Sequence, residues 1–326
     1  MDEGNEQAIQ NLGLFNSFTI PYKTVNNHEI TTDILIPKDI KPGKHPLLAR
    51  FHGGGLITGS SSFIGFFPAW VSEYAHAKSA VIVMPNYRLL PEARGADILE
   101  DISDFWAWVT GGKLQAFVES REEAKGVVID LEKIWAHGES AGGYLSIQSG
   151  LLLPPGTLRI ISAAFPMLDW HDPWYTTPHT APSPINKPFF NAPLLPRSLL
   201  TSHLQSLAPG STISAADPPE RIDLLLSIGQ QARWTEFIGT EEKLYPMQEI
   251  EKRDEFPPVF IFHGKDDSAV PAVGTERFVD VYKRRFGAEK ILCRIEEGDH
   301  GFDKPSKLED EWLVEGLGFV EREWLG

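Results

Sequence analysis

Short apolar runs alternate with amphipathic stretches along most of the chain. Phe18 to Val25 and Ile30 to Pro37 flank a turn-like cluster, Asn26-Asn27-His28, and predict a β-hairpin. Pro46 to Phe51 is a short apolar strand that runs into His52-Gly53-Gly54-Gly55. Ala80 to Met84, Arg159 to Pro166, Pro258 to Phe262 and Lys290 to Ile295 are near-continuous apolar runs, the pattern of strands covered on both faces. Between such runs the spacing becomes helical. Ile98, Ile102, Phe105 and Val109 mark one helix, and Phe278, Tyr282 and Phe286 mark another that Gly287 ends. Gly143 to Leu152 and Leu308 to Trp324 read as two more. Strands alternating with helices predict an α/β fold: a mostly parallel sheet with helices on both faces.

One stretch breaks the alternation. Trp170 to Pro219 carries roughly ten prolines and few charges. Proline excludes a long regular helix or a central strand there. Trp170, Trp174, Tyr175, Phe189 and Phe190 set it apart from a disordered linker, because disordered tracts hold few aromatics. An ordered, irregular cap over the sheet is expected, inserted at about residues 170–235 of a single domain spanning 1–326.

Composition narrows the classes of function. The 326 residues suffice for one large domain, and a net charge of -15 opposes a nucleic-acid partner or an anionic membrane surface. Cys293 is the single cysteine, so no intrachain disulfide can form, and it reads as a core residue of its strand. The acidic start, Met1 to Glu6, does not resemble a secretory signal, and no apolar run of about 18 residues is present to span a bilayer. A soluble, cytoplasmic protein follows as the expectation. A homodimer is compatible with the sequence.

Candidate chemistry centres on Gly138-Glu139-Ser140-Ala141-Gly142, which follows the apolar run Ile134-Trp135-Ala136. A serine on a sharp strand-to-helix turn is lifted clear of the sheet, and small neighbours let the turn close. A serine hydroxyl also needs a base, a group that orients the base, and donors for the oxyanion. The glycine run after the third strand offers backbone N–H groups at Gly53 and Gly54, and Ala141 offers a third. Of ten histidines, His300 in Gly298-Asp299-His300-Gly301-Phe302 follows the last strand and precedes the C-terminal helix, where a loop can bring an imidazole over the sheet edge. His52 and His137 read as braces at strand ends, His28 lies in a turn, and His171, His179 and His203 lie in the cap. The acid is expected after the preceding strand, in His263-Gly264-Lys265-Asp266-Asp267-Ser268-Ala269-Val270-Pro271, at Asp267 with Asp266 as its alternative. Asp169 is a weaker candidate. No paired ligand spacing such as H-x-x-x-H or C-x-x-C is present, so no metal is expected.

Taken together, His52-Gly53-Gly54-Gly55, Asn86-Tyr87-Arg88-Leu89-Leu90-Pro91-Glu92, Gly138-Glu139-Ser140-Ala141-Gly142-Gly143, Asp267 and His300 resemble the hormone-sensitive-lipase branch of the α/β-hydrolases. The order Ser140, Asp267, His300 is that of the fold. The resemblance covers the chain from about Ile30 onward. It implies an eight-stranded sheet, a cap, no metal or cofactor, and hydrolysis of a small-molecule carboxylic ester through an acyl-serine. It also leaves open two alternatives: the same triad used for lactone formation or acyl transfer, and a non-catalytic receptor. Arg88, Glu92 and Glu139 are expected to brace loops. Leu56, Phe189 and Phe190 are the residues expected to meet an apolar substrate. Phe63, Phe66, Phe67 and Trp70 are divided between pocket and core. The Pro- and Trp-rich insert departs from the more helical caps of the family.

Overall fold

The computed structural model describes residues 3–179 and 188–326; the first two residues of the acidic start and residues 180–187 of the expected cap lie outside that description. Eight strands form one sheet: β1 (Phe15–Val25), β2 (His28–Pro37), β3 (Gly43–Phe51), β4 (Val81–Pro85), β5 (Val127–Glu139), β6 (Ile160–Ala164), β7 (Val259–Gly264) and β8 (Ile291–Glu296). Their order across the sheet is β1-β2-β4-β3-β5-β6-β7-β8. β3 to β8 are mutually parallel, and β2 runs against both of its neighbours. The hairpin turn is tighter than the sequence cluster suggested. Asn26 and Asn27 alone form it, both at positive φ, and His28 already pairs with Val25.

Alternation explains why the central strands are apolar without interruption. Leu47, Ala49, Val81, Val83, Ile161, Ala163, Val259 and Ile261 face one buried layer. Leu48, Ile82, Ile160, Ala164, Phe260 and Phe262 face the other. Side chains of a strand point to opposite faces in turn, so a strand covered on both sides has no polar position to spare.

Twelve helices cover these layers among the described residues: α1 (Glu3–Leu12), α2 (Ala69–Ala77), α3 (Gly95–Thr110), α4 (Lys113–Glu119), α5 (Ala141–Leu152), α6 (Pro173–Thr176), α7 (Arg197–Ser206), α8 (Ile222–Gln230), α9 (Trp234–Ile238), α10 (Pro246–Glu249), α11 (Ala272–Phe286) and α12 (Glu311–Leu325). Ile98, Ile102, Phe105 and Val109 of α3 and Phe278 and Tyr282 of α11 pack into the first layer. Trp70 and Val71 of α2 and Leu313, Val320 and Trp324 of α12 pack into the second. The chain between β6 and β7 is the excursion the prolines announce. It runs through the short helices α6 to α10 rather than one long element. Among the described residues no helix is long and apolar enough to cross a membrane.

Register places the site. Phe51 pairs with Gly138, Glu139 with Ala164, and Gly264 with Glu296. The loops that leave these strands therefore emerge together at the carboxyl edge of the sheet, where open α/β sheets bind their ligands.

Candidate active site

β5 ends at Glu139 and α5 begins at Ala141, so Ser140 alone makes the turn, at φ 58 and ψ −116. A non-glycine residue there is strained, and the surroundings hold it. Ser140 N donates to Ala164 O at 2.8 Å, and Tyr144 N donates to Ser140 O at 3.1 Å. The flanking glycines are required by contact. A Cβ on Gly138 would lie 2.1 Å from Gly142 O, and one on Gly142 would lie 1.9 Å from Phe51 O. The helix can start this close to the strands only without those side chains.

Asp267 and His300 meet across the two loops that follow β7 and β8. His300 Nδ1 lies 2.8 Å from Asp267 Oδ2. The other carboxylate oxygen accepts from Ala269 N at 2.8 Å and Val270 N at 2.7 Å. His263 Nε2 stands 3.2 Å from Oδ2 while its Nδ1 bonds Thr275 Oγ1. Burial by itself would raise the Asp267 pKa; His300 and the hydrogen bond from His263 outweigh burial and hold the carboxyl well below the ordinary range. Asp299 joins the loops: it accepts from Ser268 N at 2.7 Å and from His300 N at 2.7 Å. The His300 ring stands edge-on to Phe165 at 4.6 Å and to Phe190 at 5.3 Å.

The two competing carboxylates lie elsewhere. Asp266 is exposed, and its backbone N donates to Gly298 O. Asp169 pairs with Arg277 at 2.8 Å, beside Asp172. The remaining histidines that read as braces hold loops: His52 stacks on Tyr87 at 4.4 Å, and His137 Nδ1 lies 2.7 Å from Ser162 Oγ. Burial lowers the His52 pKa to about 4 and keeps the ring neutral.

The glycine loop lies against the serine turn. A Cβ on Gly53 would sit 3.4 Å from the Ser140 Cβ. Gly54, at φ +97, closes the loop by accepting from Ile57 N and Thr58 N, both at 3.0 Å. Ala141 is the first residue of α5, whose N-terminal end carries a partial positive charge.

These elements surround one cavity of about 450 Å³ that Gly53, Gly54, Glu139, Ser140, Phe165 and His300 line. Its apolar lining comes from Met167, Phe189, Phe190, Ile222, Leu225, Leu226, Trp234, Ala269 and Val270, together with Phe66 and Pro68. Leu56 is a correction. It does not line the cavity; its side chain is buried in the core, at φ 60, where its carbonyl accepts from Leu90 N. The aromatics after the glycine loop divide: Phe66 lines the cavity, whereas Phe67 and Trp70 are core.

Two buried carboxyls also reach the cavity. Glu139 is paired with Arg50 at 2.9 Å and His137 at 3.1 Å. Asp303 accepts from Trp70 Nε1 at 3.2 Å, and its other oxygen is buried without a partner among the described residues. Burial, reinforced by the Glu139 charge, raises the Asp303 pKa to about 7. Nothing in the sequence marks Asp303, because its depth depends on Trp70, 233 positions away.

Residues 48–227 match the model of the Abhydrolase_3 family, described as the alpha/beta hydrolase fold. The chain belongs to this family. It is a hydrolase of the α/β type. Among curated proteins it is similar to probable carboxylesterase M8 of a Phoma species, with 29% identity across 93% of this chain and 94% of that protein. It is also similar to probable carboxylesterase clz11 of Cochliobolus lunatus, with 32% identity across 61% of this chain and 89% of that one. Among solved structures, the hydrolase shares its fold with Thermogutta terrifontis esterase 2 phosphonylated by sarin, at a TM-score of 0.58 and 21% identity over 94% of this chain and 93% of that one.

Proposed function

We propose that this hydrolase cleaves a carboxylic ester of an apolar small molecule through an acyl-enzyme on Ser140. The observation that carries the reading is the 2.8 Å bond between Asp267 Oδ2 and His300 Nδ1, with His300 and Ser140 lining the same cavity. The carboxylesterase names of the relatives support the same chemistry.

In this reading Asp267 fixes the Nδ1–H tautomer of His300 and leaves Nε2 to act as the base. Ser140 Oγ attacks the ester carbonyl as its proton moves to Nε2. The N–H groups of Gly53, Gly54 and Ala141 hold the oxyanion. The carbon–oxygen bond to the alcohol breaks, and His300 returns the proton to the leaving oxygen. Water then gives a proton to His300 and its hydroxide to the acyl carbon; the bond from that carbon to Oγ breaks, His300 passes the proton to Ser140 Oγ, and the acid leaves. Phe189, Phe190, Leu225 and Trp234 would hold the apolar part of the substrate. Ser140→Ala tests the reading. Turnover of a p-nitrophenyl ester should fall by about 10⁶ in kcat, and retained turnover would refute the assignment.

A second reading keeps the acyl-enzyme and replaces water with a substrate hydroxyl. The apolar wall favours it, since a dry cavity protects an acyl-serine from hydrolysis. Products formed with an added alcohol or a tethered hydroxy-ester separate the two.

A further inference from the structure

We propose that Arg221 is a positioning residue that ties the loop bearing Gly53 and Gly54 to the helix that walls the cavity. The inference rests on the reading of Gly53 and Gly54 as oxyanion donors and adds what sets their position. Arg221 stands immediately before α8, whose Ile222, Leu225 and Leu226 face the cavity. Its side chain turns away from the helix and into the glycine loop. Nε donates to Ile57 O at 2.7 Å, and Nη2 donates to Leu90 O at 2.6 Å. Both Nη atoms hold Glu92, at 2.9 and 2.6 Å. The Glu92 side chain is 2% exposed and that of Arg221 is 10% exposed, so this fork works largely out of water.

The connection to the oxyanion loop is short. Ile57, whose carbonyl Arg221 holds, sends its own N–H to Gly54 O at 3.0 Å. One residue therefore separates the guanidinium from the glycine turn. Parallel contacts stitch the same two segments together. Thr58 Oγ1 lies 2.8 Å from Ala216 O and 2.7 Å from Glu220 O and gives its one hydrogen to either, Gly59 pairs with Ala216, and Ser60 Oγ donates to Asp217 Oδ1 at 2.5 Å. On the other side of the loop, a Cβ on Gly55 would meet Leu225 at 2.4 Å and Trp234 at 2.8 Å. The glycine loop is thus held between a clamp at Ile57 to Ser60 and the cavity wall itself. A shift of the wall moves the donors, and a small misplacement of a donor is enough to lower the rate of the chemical step.

Lysine at position 221 keeps the charge but loses the planar fork, so it cannot hold Ile57 O, Leu90 O and both Glu92 oxygens together. Glu92→Gln leaves the bonds to Ile57 O and Leu90 O in place. The experiment compares wild type, Arg221→Lys and Glu92→Gln on p-nitrophenyl acetate and hexanoate, with kcat expressed per site titrated by a fluorophosphonate, and Ser140→Ala on the same esters with its rate expressed per protein. Arg221→Lys should lower kcat about tenfold or more on both esters. Its KM for the acetate should stay within about twofold of wild type, while that for the hexanoate rises. Per titrated site, Glu92→Gln should keep kcat within about threefold of wild type, because the guanidinium keeps its bonds to Ile57 O and Leu90 O and the glycine loop keeps its place. Wild-type kcat in Arg221→Lys overturns the proposal, as does an equal loss in Glu92→Gln, which would make Arg221 a structural counter-ion only. An active Ser140→Ala instead overturns the reading beneath it, and the two failures are thereby distinct.

Discussion

His300 Nδ1 and Asp267 Oδ2 are 2.8 Å apart although 33 residues separate them in the chain. The bond exists because β7 and β8 are adjacent and parallel, so the loops that leave them start level with one another. Asp299, at the base of the His300 loop, binds back to Ser268 in the other loop and fixes their spacing.

Asp267→Asn keeps the shape of this pair and removes its charge. The kcat for ester hydrolysis should drop by about 10⁴, with KM little changed. Steady-state kinetics at neutral pH check it; a loss below tenfold would speak against Asp267 as the orienting acid. Stability follows the same group. Its folded pKa is depressed, so its contribution is present above the ordinary carboxylate pKa of about 4 and is lost as pH falls through the lower folded value. Wild type and Asp267→Asn should therefore differ in urea stability at pH 7 and converge in strong acid.

Asp303 carries the opposite sign. Its folded pKa, raised to about 7 by burial and the Glu139 charge, lies above the unfolded value. The protonated form is favoured in the fold, so the stabilisation relative to a charged carboxyl is complete below about pH 4 and is lost as pH rises through 7. Asp303→Asn cannot ionise. Relative to wild type it should gain stability steadily between pH 4 and pH 8, by a few kcal/mol in all. Parallel stability curves for the two proteins would contradict this.

Much of the fold is legible in the chain because it rests on local signals. Six parallel strands show as apolar runs, since their alternation is filled on both faces, as with Leu47 and Leu48 or Phe260 and Ile261. The turn at Ser140 is legible because backbone contact forbids side chains at Gly138 and Gly142. What stays hidden depends on contacts between distant residues. Leu56 follows the glycine run and is yet turned into the core, because Gly54 bends the loop back to Ile57 and Thr58. Trp70 shares a sequence neighbourhood with Phe66 but sits on α2, whose buried face meets the sheet. Arg221 and Asp303 acquire their surroundings from Ile57 and Trp70, and no local pattern announces either.

The pocket wall should set which esters are accepted. Leu225 of α8 is buried and lines the cavity beside Gly55. Leu225→Trp should reduce the room for a long chain, raising KM for p-nitrophenyl hexanoate about tenfold or more, the scale of a few methylene contacts. The KM for the acetate should change little, even where pressure on Gly55 lowers kcat for both esters. Equal changes of KM on both esters would argue that Leu225 does not bound the substrate chain.

Arg50 and Glu139 form a buried pair next to Ser140, with Arg50 also set over the Phe67 ring at 4.1 Å. Arg50→Met should cost about 3 to 5 kcal/mol, because it leaves Glu139 charged and buried with His137 as its remaining side-chain partner. Denaturant unfolding monitored by circular dichroism checks the figure. Adding Glu139→Leu to the same chain should recover part of the loss, and a further loss of similar size would show the pair to be independent.

In the proposed mechanism Ser140 carries the acyl group. Digestion and mass spectrometry of the protein after reaction with a fluorophosphonate identify the residue that does. A single adduct on the peptide containing Ser140, absent from Ser140→Ala, is the predicted result. An adduct on another residue, or labelling that persists in Ser140→Ala, would contradict it.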